Sequence, residues 1–126
     1  MSLTAKRPRF LDLRKIRLPL PGLISILHRI SGILMVLSIP VAIYLLDLSL
    51  CDKAGFASAN AYAQTLLFKL AATLILWSLS HHLCAGIRFL LLDLDIGIDR
   101  QQARQSSITV LIASGILTLL FLGVIW

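Results

Sequence analysis

The sequence predicts an all-α integral membrane protein with three transmembrane helices and a cytoplasmic N-terminus. Three observations lead there. Of the 126 residues, 58% are hydrophobic and only 14% are charged, and the mean hydropathy is +0.90. A soluble domain carries about a quarter charged residues to cover its water-exposed surface. The apolar residues also fall into three runs, each near the ~20 residues that a helix needs to cross a bilayer. Lastly, the charge is lopsided: seven of the twelve Lys and Arg lie between Lys6 and Arg29, and the last 22 residues carry no charge. The net charge of +6 is therefore read as a topology signal and not as a nucleic-acid footprint. One membrane domain over 1–126 is expected, and disorder or a disulfide-stapled secreted fold is excluded.

Residues 1–22 form a basic cytoplasmic segment with Asp12 as its only acid. It lacks the serine richness of a transit peptide and runs straight into an apolar stretch, so it is expected to stay in the mature protein. The first span covers about 23–46. Pro21 suits a first helical turn, and Pro40 inside the run is tolerable in a membrane helix. Asp47, Asp52 and Lys53 close it, and the connection to Lys69 reads as a polar break. The second span covers about 66–92, with Asp93 and Asp95 beyond its end. The third covers about 106–126, roughly 31 Å at 1.5 Å per residue, with Trp126 at the far interface.

The flanks orient the spans. The N-terminal segment is strongly basic, and the second connection holds Arg100 and Arg104 with Arg88 just inside the helix. Positive-inside puts both in the cytoplasm and puts the first connection and the C-terminus outside. No internal repeat is visible, which disfavours an inverted-repeat transporter. Cys51 and Cys84 are expected to stay unpaired. The Asp93, Asp95 and Asp99 cluster lacks the Glu of a calcium loop and reads as a solvated turn.

Ionisable residues inside a span are costly and mark function by default. The first cluster is Ser25-Ile-Leu-His28-Arg29-Ile-Ser31-Gly32. Ser25 and Arg29 share one helix face, and His28 and Gly32 share the next. Arg29 would lie roughly 9 Å deep, where it either snorkels or lines a polar pocket for an anionic or carbonyl-bearing ligand. The second cluster is Ser80-His81-His82-Leu-Cys84-Ala-Gly86-Ile-Arg88, with the histidines roughly 16 Å deep. Ser78, His82 and Gly86 make a small–His–small row, which fits an axial ligand to haem or close helix packing. His81 points about 100° away, in line with Trp77 and Arg88. His28 is expected well off the level of His82 and nearer the cytoplasmic side, so a second axial ligand would come from another subunit. His28 and Arg29 would then suit the haem propionates. No catalytic triad, phosphate loop or thiolate cluster appears, so the isolated chain is not expected to catalyse.

Taken together, Arg7-Pro8, Leu11-Asp12-Leu13, Ile16-Arg17-x-Pro19 and the Ser25–Gly32 stretch resemble the cytochrome b subunit of succinate dehydrogenase (succinate:quinone oxidoreductase, respiratory complex II). His82-x-x-x-Gly86-Ile87-Arg88-Phe89 followed by Asp93 resembles that family's second signature. His81 stands where the family often has Tyr; His82 is chosen as ligand for its spacing to Gly86-Ile87-Arg88. The resemblance implies a multi-pass anchor in the bacterial cytoplasmic (inner) membrane, or alternatively the mitochondrial inner membrane. It implies haem b shared with a second three-helix anchor subunit, with His82 as iron ligand and His28 and Arg29 near the propionates. It implies a ubiquinone site that includes Ser25 and Arg29, and docking of an iron–sulfur subunit and a flavoprotein carrying FAD. The competing readings are a haem-free structural anchor and a small transport subunit using Arg29 and His82 as a proton path.

Overall fold

The computed structural model describes residues 18–126. Residues 1–17, which hold Arg7-Pro8, Leu11-Asp12-Leu13, Arg17 and most of the basic segment, lie outside the described residues. Four helices follow in order: α1 Leu20–Cys51, α2 Lys53–Ala63, α3 Leu66–Asp93 and α4 Arg100–Leu122. No strand occurs among the described residues. α1, α3 and α4 are long and apolar enough to cross a membrane. Successive long helices run antiparallel, so the start of α1, the end of α3 and the start of α4 share one end of the bundle, here the Arg100 end. α3 is the central helix, packed against both α1 and α4.

The expected spans are all present, with shifted ends. α1 begins at Leu20 with Pro21 in its first turn and runs through Pro40 to Cys51. Its 32 residues exceed what the ~30 Å hydrocarbon core requires, because helix continues past the apolar run into Asp47–Cys51. α4 starts at Arg100, six residues before the expected boundary at 106, since Arg100–Gln105 are sound helix formers that hydropathy alone does not count. It ends at Leu122, and the chain turns over its last residues.

α2 is a correction. Its segment reads as a polar break in the sequence, yet Lys53–Ala63 is helical. Asp52 makes this possible: it leaves α1 in an extended conformation at φ −163°, and its carboxylate accepts from the Gly55 amide at 2.6 Å as an N-cap. Gly55 is buried against the carbonyl of Leu48, where a Cβ would collide with backbone. The alanine-rich remainder favours helix without apolar periodicity. In the connection from α3 to α4, Asp95 (φ 60°) and Gly97 (φ 80°) take the left-handed conformation, which Asp and Gly adopt most readily.

The interior is small and polar, and the exterior is apolar. One residue from each long helix, Ile24, Ala85 and Val110, meets at the centre. Around them the buried positions are Ser31, Ser78, Ser80, His81, Arg88, Ser107 and Ser114. Most other leucine and isoleucine side chains face outward instead. In lipid, apolar burial does not drive helix association, and small residues let backbones approach. The buried serines return their protons to carbonyls of their own helices, so they pack without orphaned donors. Near the Arg100 end, Arg88 donates from Nε to Ser106 Oγ at 3.0 Å and from Nη2 to the Ala103 carbonyl at 3.2 Å, tying α3 to α4. At the other end the Trp126 indole donates to Thr73 Oγ1 at 3.2 Å.

Candidate functional site

His28 and Gly32 are one turn apart on α1, and His82 and Gly86 are one turn apart on α3. Because α1 and α3 run antiparallel, each histidine meets the other helix's glycine. A Cβ added at Gly32 would lie 3.1 Å from His82 Cε1, and one added at Gly86 would lie 3.6 Å from His28 Nε2. The two glycines thus admit two imidazoles into one helix contact. The rings stack with centroids 4.0 Å apart and planes 16° from parallel. Phe89 meets His28 edge-on at 5.2 Å.

This corrects the expectation that His28 lies well off the level of His82. Depths counted from separate span ends ignore how far each helix projects past its neighbour. The reciprocal glycine seats leave the two residues only about one helical turn apart in depth and bring their rings into stacking contact. Stacked side by side, they do not face each other across a gap as two axial ligands of one metal would.

The tautomer of His82 follows from its contacts. Its Nδ1 lies 3.1 Å from the His28 carbonyl oxygen and 3.2 Å from Ser31 Oγ. Ser31 Oγ itself donates to the same carbonyl at 2.8 Å. A carbonyl only accepts, so His82 Nδ1 carries the proton and donates. Nε2 keeps its lone pair and has no hydrogen bond among the described residues. His82 also lines an open groove of about 570 Å³ between Gly32, Met35 and Val36 of α1 and Ile75 and Leu79 of α3. That volume lies in the range of small-molecule sites. An imidazole with a fixed Nδ1–H, a free Nε2 and an apolar groove beside it is a suitable donor for a metal held in a flat organic ring.

His81 goes elsewhere. It is fully buried, stacked on Trp77 at 5.4 Å, and shares a buried stripe with Ser78, Ala85 and Arg88. Among the described residues neither ring nitrogen meets a hydrogen-bond partner in bonding geometry.

Ser25 is half-buried and Arg29 exposed, one turn apart on α1. Every other serine and threonine among the described residues returns its hydroxyl proton to a carbonyl of a preceding residue. Of the described serines and threonines, Ser25 alone has no hydroxyl hydrogen bond to a described residue. A membrane helix normally satisfies its hydroxyls internally, and this one bonds no described residue. Arg29 likewise makes no ion pair among the described residues. Along α1, Ser25 stands nearer the Arg100 end, with His28 and Arg29 about a turn deeper; Ser25 and Arg29 share one face, and the His28 ring stacks on His82. Sequence reasoning quoted Ser31 and Gly32 without giving them a role. Their signal was position, three and four residues after His28 and so on its side of the helix.

The profile of the succinate dehydrogenase/fumarate reductase transmembrane subunit family matches residues 4–121. The succinate dehydrogenase cytochrome b556 subunit of Coxiella burnetii is 37% identical, over 98% of this chain and 100% of its own length. That of Paracoccus denitrificans is 33% identical, over 92% of this chain and 89% of its own. That of Rickettsia felis is 28% identical, over 91% and 90%.

Proposed function

This chain belongs to the succinate dehydrogenase/fumarate reductase transmembrane subunit family, and from that premise we propose that it is the haem b-binding membrane anchor of a succinate:quinone oxidoreductase. The observation that carries the reading is the state of His82: its Nδ1–H is held by the His28 carbonyl at 3.1 Å, and its Nε2 is left free beside the apolar groove. A histidine that ligates iron characteristically donates its other nitrogen to a carbonyl in this way. Haem supplies one-electron chemistry when bound. His82 is the iron ligand from this chain. Any further ligand would come from a second three-helix anchor subunit, since His28 lies flat against His82. His28 and Arg29 lie on the Arg100 side of His82 and suit the propionates, with Arg29 supplying the charge.

Ser25 and Arg29 form this chain's part of the ubiquinone site. The Ser25 hydroxyl orients a quinone carbonyl by donating to it. The Arg29 guanidinium stabilises negative charge as the quinone is reduced, more strongly in a low-dielectric setting than in water. An iron–sulfur subunit delivers electrons at this end, and a flavoprotein with FAD oxidises succinate beyond it. The whole chain acts as one membrane-anchor unit in the bacterial inner membrane. Its N-terminus and the Arg100 end lie on the cytoplasmic side, where Arg100 and Arg104 satisfy the positive-inside rule.

The test is a dithionite-reduced minus oxidised visible spectrum of the complex purified through this chain, beside the same spectrum for His82→Ala. A low-spin b-type signal lost in His82→Ala is the expected result. A wild-type complex that oxidises succinate without any haem signal leaves the haem-free anchor as the function.

A further inference from the structure

We propose that Ser31 is a positioning residue for His82, sharing its Nδ1 proton with the His28 carbonyl and strengthening Nε2 as a donor; this rests on the reading of His82 as haem ligand. Ser31 is fully buried. Its proton goes to the His28 carbonyl at 2.8 Å, so toward His82 Nδ1, 3.2 Å away, its oxygen can only accept. The alternative acceptor is crowded. A carbonyl oxygen has two lone pairs, and that of His28 already serves the α-helical ladder and the Ser31 hydroxyl. Ser31 Oγ has lone pairs to spare, so it offers the Nδ1 proton the less contested bond. Among the described back-bonded serines, only Ser31 and Ser106 also contact a polar group on another long helix, and Ser106 holds the structural Arg88.

The chemical consequence is directional. Withdrawing the Nδ1 proton toward an acceptor gives the ring partial imidazolate character and makes Nε2 a stronger donor. A stronger axial donor favours the oxidised metal. Removing the Ser31 hydroxyl therefore makes the bound haem easier to reduce and more weakly held.

The experiment compares the intact complex carrying wild-type Ser31, Ser31→Ala or Ser31→Cys. The readouts are the haem midpoint potential by redox titration, the low-spin electron paramagnetic resonance signal, and haem transfer to excess apomyoglobin. Ser31→Ala is expected to shift the potential positive and to speed haem transfer about tenfold, the scale of outer-shell losses at metal sites. Ser31→Cys, nearly isosteric with a weaker acceptor, is expected between the two. A Ser31→Ala potential and transfer rate equal to wild type overturn the proposal while leaving His82 as ligand. If Ser31→Ala does not assemble, a wild-type potential in Ser31→Cys overturns it equally. A wild-type complex without haem overturns the reading beneath it.

Discussion

Gly32 and His82 are in register across the contact between α1 and α3: a Cβ at position 32 would sit 3.1 Å from His82 Cε1 and 3.4 Å from Nδ1. The glycine is thus the seat of the ring that carries the free Nε2. At Gly86 the corresponding distance to His28 is 3.6 Å, an ordinary van der Waals contact. The two glycines look alike in sequence and differ in what they tolerate. Gly32→Ala is expected to push His82 off its Nδ1 acceptors and lower the haem content of the purified complex. Gly86→Ala is expected to keep wild-type content. The comparison is a haem-to-protein ratio for each variant, and equal ratios for both would remove Gly32 as the seat.

The Ser25 hydroxyl, which bonds no described residue, gives a second contrast. Ser25→Ala removes a donor that bonds nothing else among the described residues, so helix stability is expected to change little. Its loss is expected to remove about 1 kcal/mol of quinone binding, roughly a fivefold rise in quinone KM. Succinate oxidation measured with an artificial dye should be unchanged. Arg29→Leu should lower turnover with quinone more strongly than Ser25→Ala, because it removes charge stabilisation as well as a contact. Steady-state assays with a short-chain quinone decide both points; an unmoved KM in Ser25→Ala takes Ser25 out of the site.

Much of this was legible in the sequence, and the exceptions have physical causes. The three spans were visible because lipid demands long apolar runs. Their ends were not, because helix continues past the apolar run at Asp47–Cys51 and precedes it at Arg100–Gln105. α2 was hidden because its helicity rests on the Asp52 cap and alanine content and not on amphipathic periodicity. The orientation of His82 into one face and His81 into another followed from their 100° offset, and the structure keeps them apart. The level of His28 against His82 did not follow, since relative helix translation is set by the reciprocal glycine seats, which only the packed pair reveals. The free state of Ser25 was equally invisible: a hydroxyl is conspicuous only when all its neighbours are seen to be satisfied.

Arg88 carries the clasp between α3 and α4. It is 5% exposed, and its fork reaches Ser106 Oγ and the Ala103 carbonyl from separate nitrogens. Lysine can supply the charge but not both bonds at that geometry. Arg88→Leu is expected to destabilise the bundle by about 2 kcal/mol, the scale of a lost hydrogen bond from a charged donor. Arg88→Lys should fall between Leu and wild type. Thermal unfolding of the detergent-solubilised complex measures this, and a melting temperature for Arg88→Leu equal to wild type would show the clasp to be dispensable.

His81 presents the opposite case, a buried ring whose nitrogens bond no described residue in good geometry. It is fully buried against Trp77, and both ring nitrogens lack partners among the described residues. An unsatisfied buried polar group costs on the order of 1–3 kcal/mol. Phenylalanine keeps the aromatic stack and removes both nitrogens at similar volume, so His81→Phe is expected to raise the melting temperature. The same variant separates the two histidines functionally. Because His81 faces the bundle interior while His82 lines the groove, the haem spectrum of His81→Phe should match wild type. A lowered melting temperature together with a lost haem signal would instead make His81, and not His82, the residue that the cofactor depends on.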